Sequence, residues 1–232
     1  MKPPWGLAVN RWGKGGPGKR VPLPEANAAL NPPRRQPGVL RIIFPRMDLH
    51  EAIHTRRSIK QFTSRPVSRG EIERLLDAAI QAPNHRMTQP WRFYVLGPEA
   101  RRKYGEALGA RKAKKVEDPE AARAVAEKVA AQEAGLPAMI AVTQTVDQNP
   151  EIREEDYAAI MMAVQNLLLA AHAEGLGTHV RSGAVMDDPR ARAAVGVPEG
   201  ERIVALIQLG EPAAAPEKKA RRRAADVTTW VP

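Results

Sequence analysis

The chain has 232 residues, a formal net charge of +10 and no cysteine, which excludes disulfides, thiolate metal sites and a cysteine nucleophile. Residues 1–46 carry most of the charge, with nine lysines or arginines and one acidic residue, and leave 27 basic and 25 acidic residues after Arg46. Residues 47–232 therefore lack the strongly basic balance that is typical of a nucleic-acid-binding domain.

Residues 1–46 also hold nine of the 21 prolines and six of the 17 glycines, so we predict a disordered leader. They fit neither a secretory signal nor an amphipathic transit peptide. Met47 comes immediately before the first patterned helix, and we expect it to be the natural start, with the leader as an upstream extension. Residues 47–232 suffice for one domain, and without a transmembrane stretch a cytoplasmic protein is expected.

The first helix is predicted from Leu49 to about Arg57, with Asp48 as its cap. It leads into the sequence RRSIKQF. Three cations and a hydroxyl within the five residues 56–60 suit an anion such as phosphate, because arginine offers a planar fork of donors and serine a short one. The alternative is a solvated basic helix end that the helix dipole favours.

The second helix follows Ser68, which forms a capping box with Glu71, and ends at Pro83. The next segment, NHRMTQPW at residues 84–91, is a polar loop whose side-chain amides need partners if they are buried. A functional loop and a plain surface turn both remain open. The first strand is predicted at Arg92–Leu96.

Residues 98–135 are rich in alanine and charged residues and predict a helical cover, with helices at Glu99–Lys115 and Pro119–Ala134. Few large apolar residues occur there, so we expect the cover to be mobile and largely exposed. The second strand, Ala138–Val146, is apolar enough to be central in a sheet.

From Tyr157 to Ala173 the chain is almost continuously apolar or small, which predicts a helix buried on most of its faces. Gly175 and Gly177 end it. A second subunit is one source of the cover that such a helix needs, and the core of a monomer is the other.

A third strand is predicted at Thr178–Ser182, then a short helix through Ala194 capped by Asp187 or Asp188. The last strong strand is Arg202–Leu209. Residues 211–232 form a C-terminal arm with the basic cluster KKARRR and the β-prone end VTTWV, which strand exchange with a partner subunit would use. Strands do not alternate strictly with helices, so the pattern favours an α+β fold with a sheet flanked by helices.

Three segments, RRSIKQF, APNHRMTQPWRFYVL and AVQNLLLAAHAEGLGTHVRSG, resemble in their order and spacing the nitroreductase family of flavin-dependent oxidoreductases. The segment IVALIQLGEPAAAPEKKARRR is similar to that family's last strand and basic tail. The likeness covers Met47 to about Trp230 and indicates the compact branch of the family. It implies a mostly antiparallel central sheet and an intertwined homodimer with FMN bound at the subunit interface.

The resemblance also implies which residues bind FMN. The residues expected around its phosphate and the neighbouring ribityl or pyrimidine groups are Arg56, Arg57 and Ser58, with Lys60 as a further cation. Those expected to reach the flavin from the other subunit are Gln81, Asn84, His85 and, behind them, Gln89. Those expected beside the isoalloxazine ring are Val180, Arg181 and Ser182, with Arg181 also a candidate donor to the flavin N1–O2 edge. The C-terminal basic pair expected near the phosphate is Lys219 and Arg221, with the register within Lys218–Arg223 left open.

The activity implied is hydride transfer from NADH or NADPH through flavin N5 to a nitroaromatic, quinone or similar acceptor, by a ping-pong mechanism without a catalytic side chain. A non-catalytic flavin-binding sensor is one alternative, and a nucleic-acid-binding module that uses the basic leader and tail is another. His50 and His54 lack a third ligand at useful spacing, so no metal site is predicted. We interpret His172 as a hydrogen-bonded core histidine.

Overall fold

The computed structural model describes residues 47–232. The predicted disordered leader, together with the expectation that it is an upstream extension, lies outside the described residues. Within them, no helix combines the length and the apolar character that crossing a membrane requires.

The described residues form six α-helices and four β-strands. The helices are α1 Leu49–Thr55, α2 Arg69–Ala79, α3 Pro98–Ala113, α4 Pro119–Ala134, α5 Pro150–Ala173 and α6 Pro189–Val195. The strands are β1 Trp91–Val95, β2 Ala138–Thr145, β3 Gly177–Arg181 and β4 Glu201–Gly210. Short 3-10 turns lie at His85–Met87, Ala184–Asp187 and Ala224–Val227.

The four strands form one antiparallel sheet in the order β1-β2-β4-β3. Its two central strands, β2 and β4, pair Ile140 with Ile207, and a register shift follows Val142. Successive side chains of a strand point to opposite faces of the sheet, so each central strand supplies two cores. Met139 and Ile140 are neighbours on β2, yet each belongs to a different hydrophobic cluster.

Helices cover both faces of the sheet. On one face α2 and α5 supply Leu75, Ile160 and Leu167, all fully buried. On the other face α3, α4 and α6 supply residues such as Tyr104 and Val129. The predicted α+β architecture, with a central antiparallel sheet flanked by helices, is confirmed.

Helix α5 begins earlier than the sequence predicted. It starts at Pro150, after the cap Asn149, and Ile152 is the one large apolar residue in its charged first two turns. The expectation that it is buried on most faces is wrong for the single chain, because Tyr157, Met161 and Met162 are 43%, 37% and 42% exposed. The opposite side of the helix is buried in the core.

The helical cover differs between its two helices. Helix α4 is largely exposed, as predicted. Helix α3, in contrast, buries five of the six residues between Tyr104 and Gly109, and only Glu106 is exposed. The two helices approach so closely that a Cβ at Gly109 would lie 2.5 Å from the carbonyl oxygen of Ala126. The prediction of an exposed α3 is wrong because glycine and alanine, rather than large apolar residues, form this contact.

The C-terminal arm follows β4 and makes one isolated β-bridge, between Phe62 and Pro212. Its predicted β-prone end forms no strand in the described chain, and Ala224–Val227 is a 3-10 turn instead. Trp230 is 90% exposed and Val231 is 84% exposed, because nothing in the same described chain covers them. Strand exchange with a partner subunit stays a prediction.

Candidate functional site

A cavity of about 810 Å³ lies between the segment after α1 and the C-terminal arm. Cationic side chains dominate its wall. They are Arg56, Arg57, Lys60, Lys218, Lys219 and Arg221. The remaining lining residues are Ile53, His54, Ser58, Gln61, Ala214, Ala215, Pro216 and Glu217. We call these residues the cationic cavity.

The segment after α1 reaches the cavity because it is joined to the sheet edge. Helix α1 ends at Thr55, two residues before the predicted end, so Arg56 caps it and Arg57 lies beyond it. Ser58 forms a parallel bridge with Thr178 of β3, and the backbone N–H of Ile59 donates to the Thr178 carbonyl at 2.9 Å. The chain is thereby fixed at the edge of β3.

The C-terminal arm forms the opposite wall of the cationic cavity. The backbone N–H of Thr63 donates to the carbonyl of Glu211 at 2.9 Å, and that of Ala213 donates to the carbonyl of Gln61 at 3.0 Å. The Thr63 hydroxyl also donates to the Glu211 carboxylate at 2.7 Å. These bonds place the arm beside the segment after α1, so that Lys219 and Arg221 face the same cavity as Arg56.

The charges of the cavity are uncompensated. Within residues 47–232, none of its lysines and arginines forms a salt bridge with a carboxylate, and Glu217 is the one acidic residue among its lining residues. Burial, and then the nearby charges of Arg57 and Arg221, lower the pKa of Arg56. Like charges held this close destabilise one another, and a bound anion would relieve that repulsion.

His172 lies behind this wall. Its Nε2 is 2.8 Å from the Thr55 hydroxyl, which in turn donates to the Glu51 carbonyl at 2.6 Å. Burial, followed by the charges of Arg56 and Arg57, lowers the pKa of His172. His172 is hydrogen-bonded to α1, as interpreted from the sequence, but it is half-buried at the edge of the helical layer and is not part of the core.

The polar loop after α2 does not line the cavity in the single chain. Asn84 accepts the backbone N–H of Gln89 at 3.1 Å, and the Thr88 hydroxyl donates to the buried Asp156 of α5 at 2.6 Å. His85 Nδ1 lies 2.9 Å from the Glu155 carboxylate. Gln81, at the end of α2, donates instead to the Asp77 carbonyl at 3.3 Å.

The backbone of this loop is strained. Arg86, Met87 and Gln89 have φ values of 56°, 52° and 44°, in the left-handed region that residues other than glycine seldom adopt. Such outliers persist only where the surrounding structure fixes them, and they cluster at functional sites. The hydrogen bonds to α5 provide that fixation here.

The end of β3 also lies outside the cationic cavity. Val180 packs against the core on the α5 side of the sheet. The guanidinium of Arg181 is held on the other side, where its Nη1 lies 2.6 Å from Oε1 of Glu133. Ser182 is exposed in the turn that follows. The structure thus pairs Arg181 with Glu133 of α4 in the single chain, and the place beside the flavin that the resemblance implied for Arg181 stays a prediction.

A buried polar network surrounds that pair. Glu133 is only 3% exposed, and its second oxygen accepts the side-chain amide of Gln208 at 2.9 Å. Gln208 in turn lies 3.0 Å from His179 Nδ1. The nearby hydroxyl of Tyr104 is buried without a hydrogen-bond partner in the described chain, and burial raises its pKa to about 12.

The nitroreductase family model matches residues 53–211, well over half of the chain. The chain belongs to the nitroreductase family. YfhC of Bacillus subtilis (strain 168), a candidate NAD(P)H nitroreductase, is 34% identical over 173 residues, which cover 75% of this chain and 89% of YfhC.

Solved structures show the same fold. A nitroreductase-like family protein from Bacillus cereus aligns with a TM-score of 0.70 and 28% identity, over 79% of this chain and 96% of that protein. The FMN and NADPH-dependent nitroreductase NfnB from Sphigopyxis sp. strain HMH aligns with a TM-score of 0.65 and 23% identity, over 79% and 99%. The sheet and its helices are therefore nitroreductase-like.

Sequence reasoning missed two groups of residues in this nitroreductase-family chain. Gln61 lines the cationic cavity, and its position within the first basic motif was the available signal, whereas Lys218 occupies one of the register positions left open. Glu133 and Gln208, which bind or support Arg181, gave no signal. From sequence alone, Glu133 on the charged helix α4 is expected to be exposed to solvent, because its partner Arg181 lies far away along the chain.

Gly177 is the residue whose substitution tests how the segment after α1 is held. A Cβ there would lie 2.7 Å from Ile59 Cγ1. We expect Gly177→Ala to lower the free energy of unfolding by about 1–3 kcal/mol, the usual cost of overpacking. Thermal unfolding measures it, with Gly70→Ala as the control, because the nearest atom there is the flexible Arg74 side chain at 3.9 Å. Equal melting temperatures in the two variants would contradict the close contact.

Proposed function

We propose that this protein is an FMN-dependent NAD(P)H oxidoreductase that reduces a small acceptor such as a nitroaromatic or a quinone. The observation that carries the proposal is the cationic cavity, whose positive charges have no carboxylate partners within the described residues of a nitroreductase-family chain. A phosphate dianion offsets such charges directly, since arginine and lysine bind phosphate through charge-assisted hydrogen bonds.

The cavity suits the phosphate end of FMN. In this proposal Arg56, Arg57 and Ser58 hold the phosphate from one side. Lys219 and Arg221 hold it from the other side, and Lys60 adds charge. The volume of about 810 Å³ lies within the usual range of roughly 300–1,000 Å³ for a small-molecule site. The name of the nitroreductase NfnB, which aligns over most of this chain, describes an FMN and NADPH dependence.

A homodimer belongs to the same proposal. The helical layer around α5 exposes seven large apolar side chains on its surface, and they are Leu49, Ile53, Ile80, Met87, Tyr157, Met161 and Met162. We call this set the apolar face. Tyr157, Met161 and Met162 lie within two turns of one another on α5, and the other four lie on or next to elements that contact α5. A large exposed apolar surface on a protein often marks an interface. A second copy that packs its own apolar face here completes the cover of α5.

The remaining expected flavin contacts are then supplied across the interface. Gln81, Asn84, His85 and Gln89 lie on or beside the strained loop, which is bonded to the same helix that carries the apolar face. We assign these side chains to the flavin of the partner subunit. Val180 and Ser182 remain assigned to the ring of the flavin bound by their own chain.

FMN held by these residues would supply the redox chemistry, namely ping-pong hydride transfer between NAD(P)H and the acceptor. The protein contributes binding, orientation and exclusion of water, and we assign no catalytic side chain. The arginines and lysines of the cationic cavity anchor one end of the cofactor and thereby fix where its other end lies. A cytoplasmic location forms part of the same proposal.

Steady-state oxidation of NADPH or NADH with a quinone or nitroaromatic acceptor tests this function. Turnover that depends on both the acceptor and bound FMN is the expected result. Stoichiometric flavin binding without turnover would replace the proposal with a flavin-binding sensor. Protein that neither binds flavin nor oxidises the nicotinamide would overturn both functions.

A further inference from the structure

A second cavity, of about 220 Å³, lies between the end of α3 and the turn after β3. Its lining residues are Leu108, Arg111, Lys112, Lys115, Arg181, Ser182, Ala184 and Val185. Four of these described residues are cations and none is acidic. We call this the α3 cavity, and its charge gives it a chemical preference for anions.

The positive charge of the α3 cavity is mostly free. Within residues 47–232, Arg111, Lys112 and Lys115 form no salt bridge, although the same helix pairs Arg102 and Lys103 with Glu99. The helix dipole favours cations in the last turn of α3. The dipole does not explain Lys115, because Lys115 lies beyond the end of α3. Nor does it explain why Arg181 of β3 lines the same cavity.

Arg181 forms a fixed wall of this cavity. Its guanidinium is bonded at 2.6 Å to Glu133, which is itself 3% exposed and bonded to Gln208. A side chain held by a buried carboxylate loses little conformational entropy when a ligand arrives, so the wall is preorganised. The three exposed cations on and after α3, Arg111, Lys112 and Lys115, supply the uncompensated charge.

The α3 cavity lies at the far end of β3 from the cationic cavity. Thr178 bridges Ser58 at one end, and Ser182 follows four residues later at the other. At about 3.3 Å per residue, the two points are roughly 13 Å apart. Ser182, which we assign to the ring of the flavin, also lines the α3 cavity, so a ligand that lies against that ring can extend into the α3 cavity.

We propose that the α3 cavity binds a phosphate ester, and that the 2′-phosphate of NADPH is its source. This inference rests on the proposed function for the presence of a nicotinamide donor. NADH lacks the 2′-phosphate, so Arg111 and Lys115 make NADPH the preferred hydride donor. Lys112 adds to the positive electrostatic potential of the α3 cavity.

The test compares adenosine 2′,5′-bisphosphate with adenosine 5′-monophosphate, which differ only in the 2′-phosphate. Calorimetry on the full chain should show tighter binding of the bisphosphate by about tenfold, the value of one charge-assisted hydrogen bond. Arg111→Ala and Lys115→Ala should each remove most of that preference. Lys114→Ala should keep it, because Lys114 is exposed beside Lys115 but does not line the cavity.

Equal binding of the two nucleotides by the wild-type protein would overturn the proposal, as would a preference that survives in both variants. Orthophosphate that binds as tightly as the bisphosphate would reveal a general anion site and refute the NADPH assignment. A kinetic arm measures the ratio of the KM values for NADPH and NADH, which should rise about tenfold in Lys115→Ala. Absence of flavin from the protein would overturn the proposed function but not the nucleotide preference of the α3 cavity, because the calorimetric comparison does not require flavin.

Discussion

Replacing Arg56 with alanine is expected to strip the flavin from the protein while leaving the fold and the dimer intact. The guanidinium is half-buried beside Arg57 and Arg221, and the pKa of Arg56 is lowered by burial and by those two charges. Removing a charged hydrogen-bond partner from such a site costs about 1.5–3 kcal/mol, so FMN affinity should fall about 10- to 100-fold. Flavin fluorescence during titration with FMN measures the change.

Arg123→Ala is the matched control. Arg123 is an exposed arginine that pairs with Glu127 on α4 and does not line the cationic cavity. It should bind FMN like the wild type. The companion variant Ser58→Ala removes a hydroxyl from the same wall and should also lose cofactor. Wild-type flavin occupancy in both Arg56→Ala and Ser58→Ala would show that the phosphate assignment is wrong.

A charge placed in the middle of the apolar face is expected to separate the two subunits. Met161 is 37% exposed on α5 of the single chain and lies between Tyr157 and Gln165 along the helix. Met161→Lys would bury an unpaired charge at the interface, at a cost of about 3–5 kcal/mol. The affinity of the subunits for one another should therefore fall about 100- to 4,000-fold, and flavin should be lost with the dimer.

Size-exclusion chromatography with light scattering measures the mass of the protein, and flavin absorbance recorded in the same run measures its cofactor content. Val95→Lys is the control, because Val95 is 49% exposed on the edge strand β1 and is not part of the apolar face. It should remain a flavin-containing dimer. A Met161→Lys protein that keeps the wild-type mass and flavin content would place the subunit interface elsewhere.

Local signals allowed much of the fold to be predicted from the sequence. The capping box of Ser68 and Glu71 forms as expected at the start of α2, and α4 has the bounds that were predicted for it. Asp188, one of the two candidate caps, begins α6. Each of these features depends on a few neighbouring residues, so the sequence pattern carries the required information.

Features that depend on distant partners were not predictable. Glu133 holds Arg181 on the α4 side, and the sequence did not predict this pair because no local pattern links two residues so far apart in sequence. Helix α3 was expected to be exposed, since Gly105 and Gly109 contribute no apolar signal although they permit close helix packing. Helix α5 was expected to be buried on most of its faces, but Tyr157, Met161 and Met162 are exposed in the single chain.

The most direct test of the central claim is one chromatographic run that records mass, flavin absorbance and, after denaturation, the identity of the released cofactor. The account predicts a yellow species of twice the chain mass that releases FMN, with about one flavin for every chain, because a symmetric dimer has equivalent sites. A colourless protein that elutes as a single chain and takes up no added FMN would contradict it.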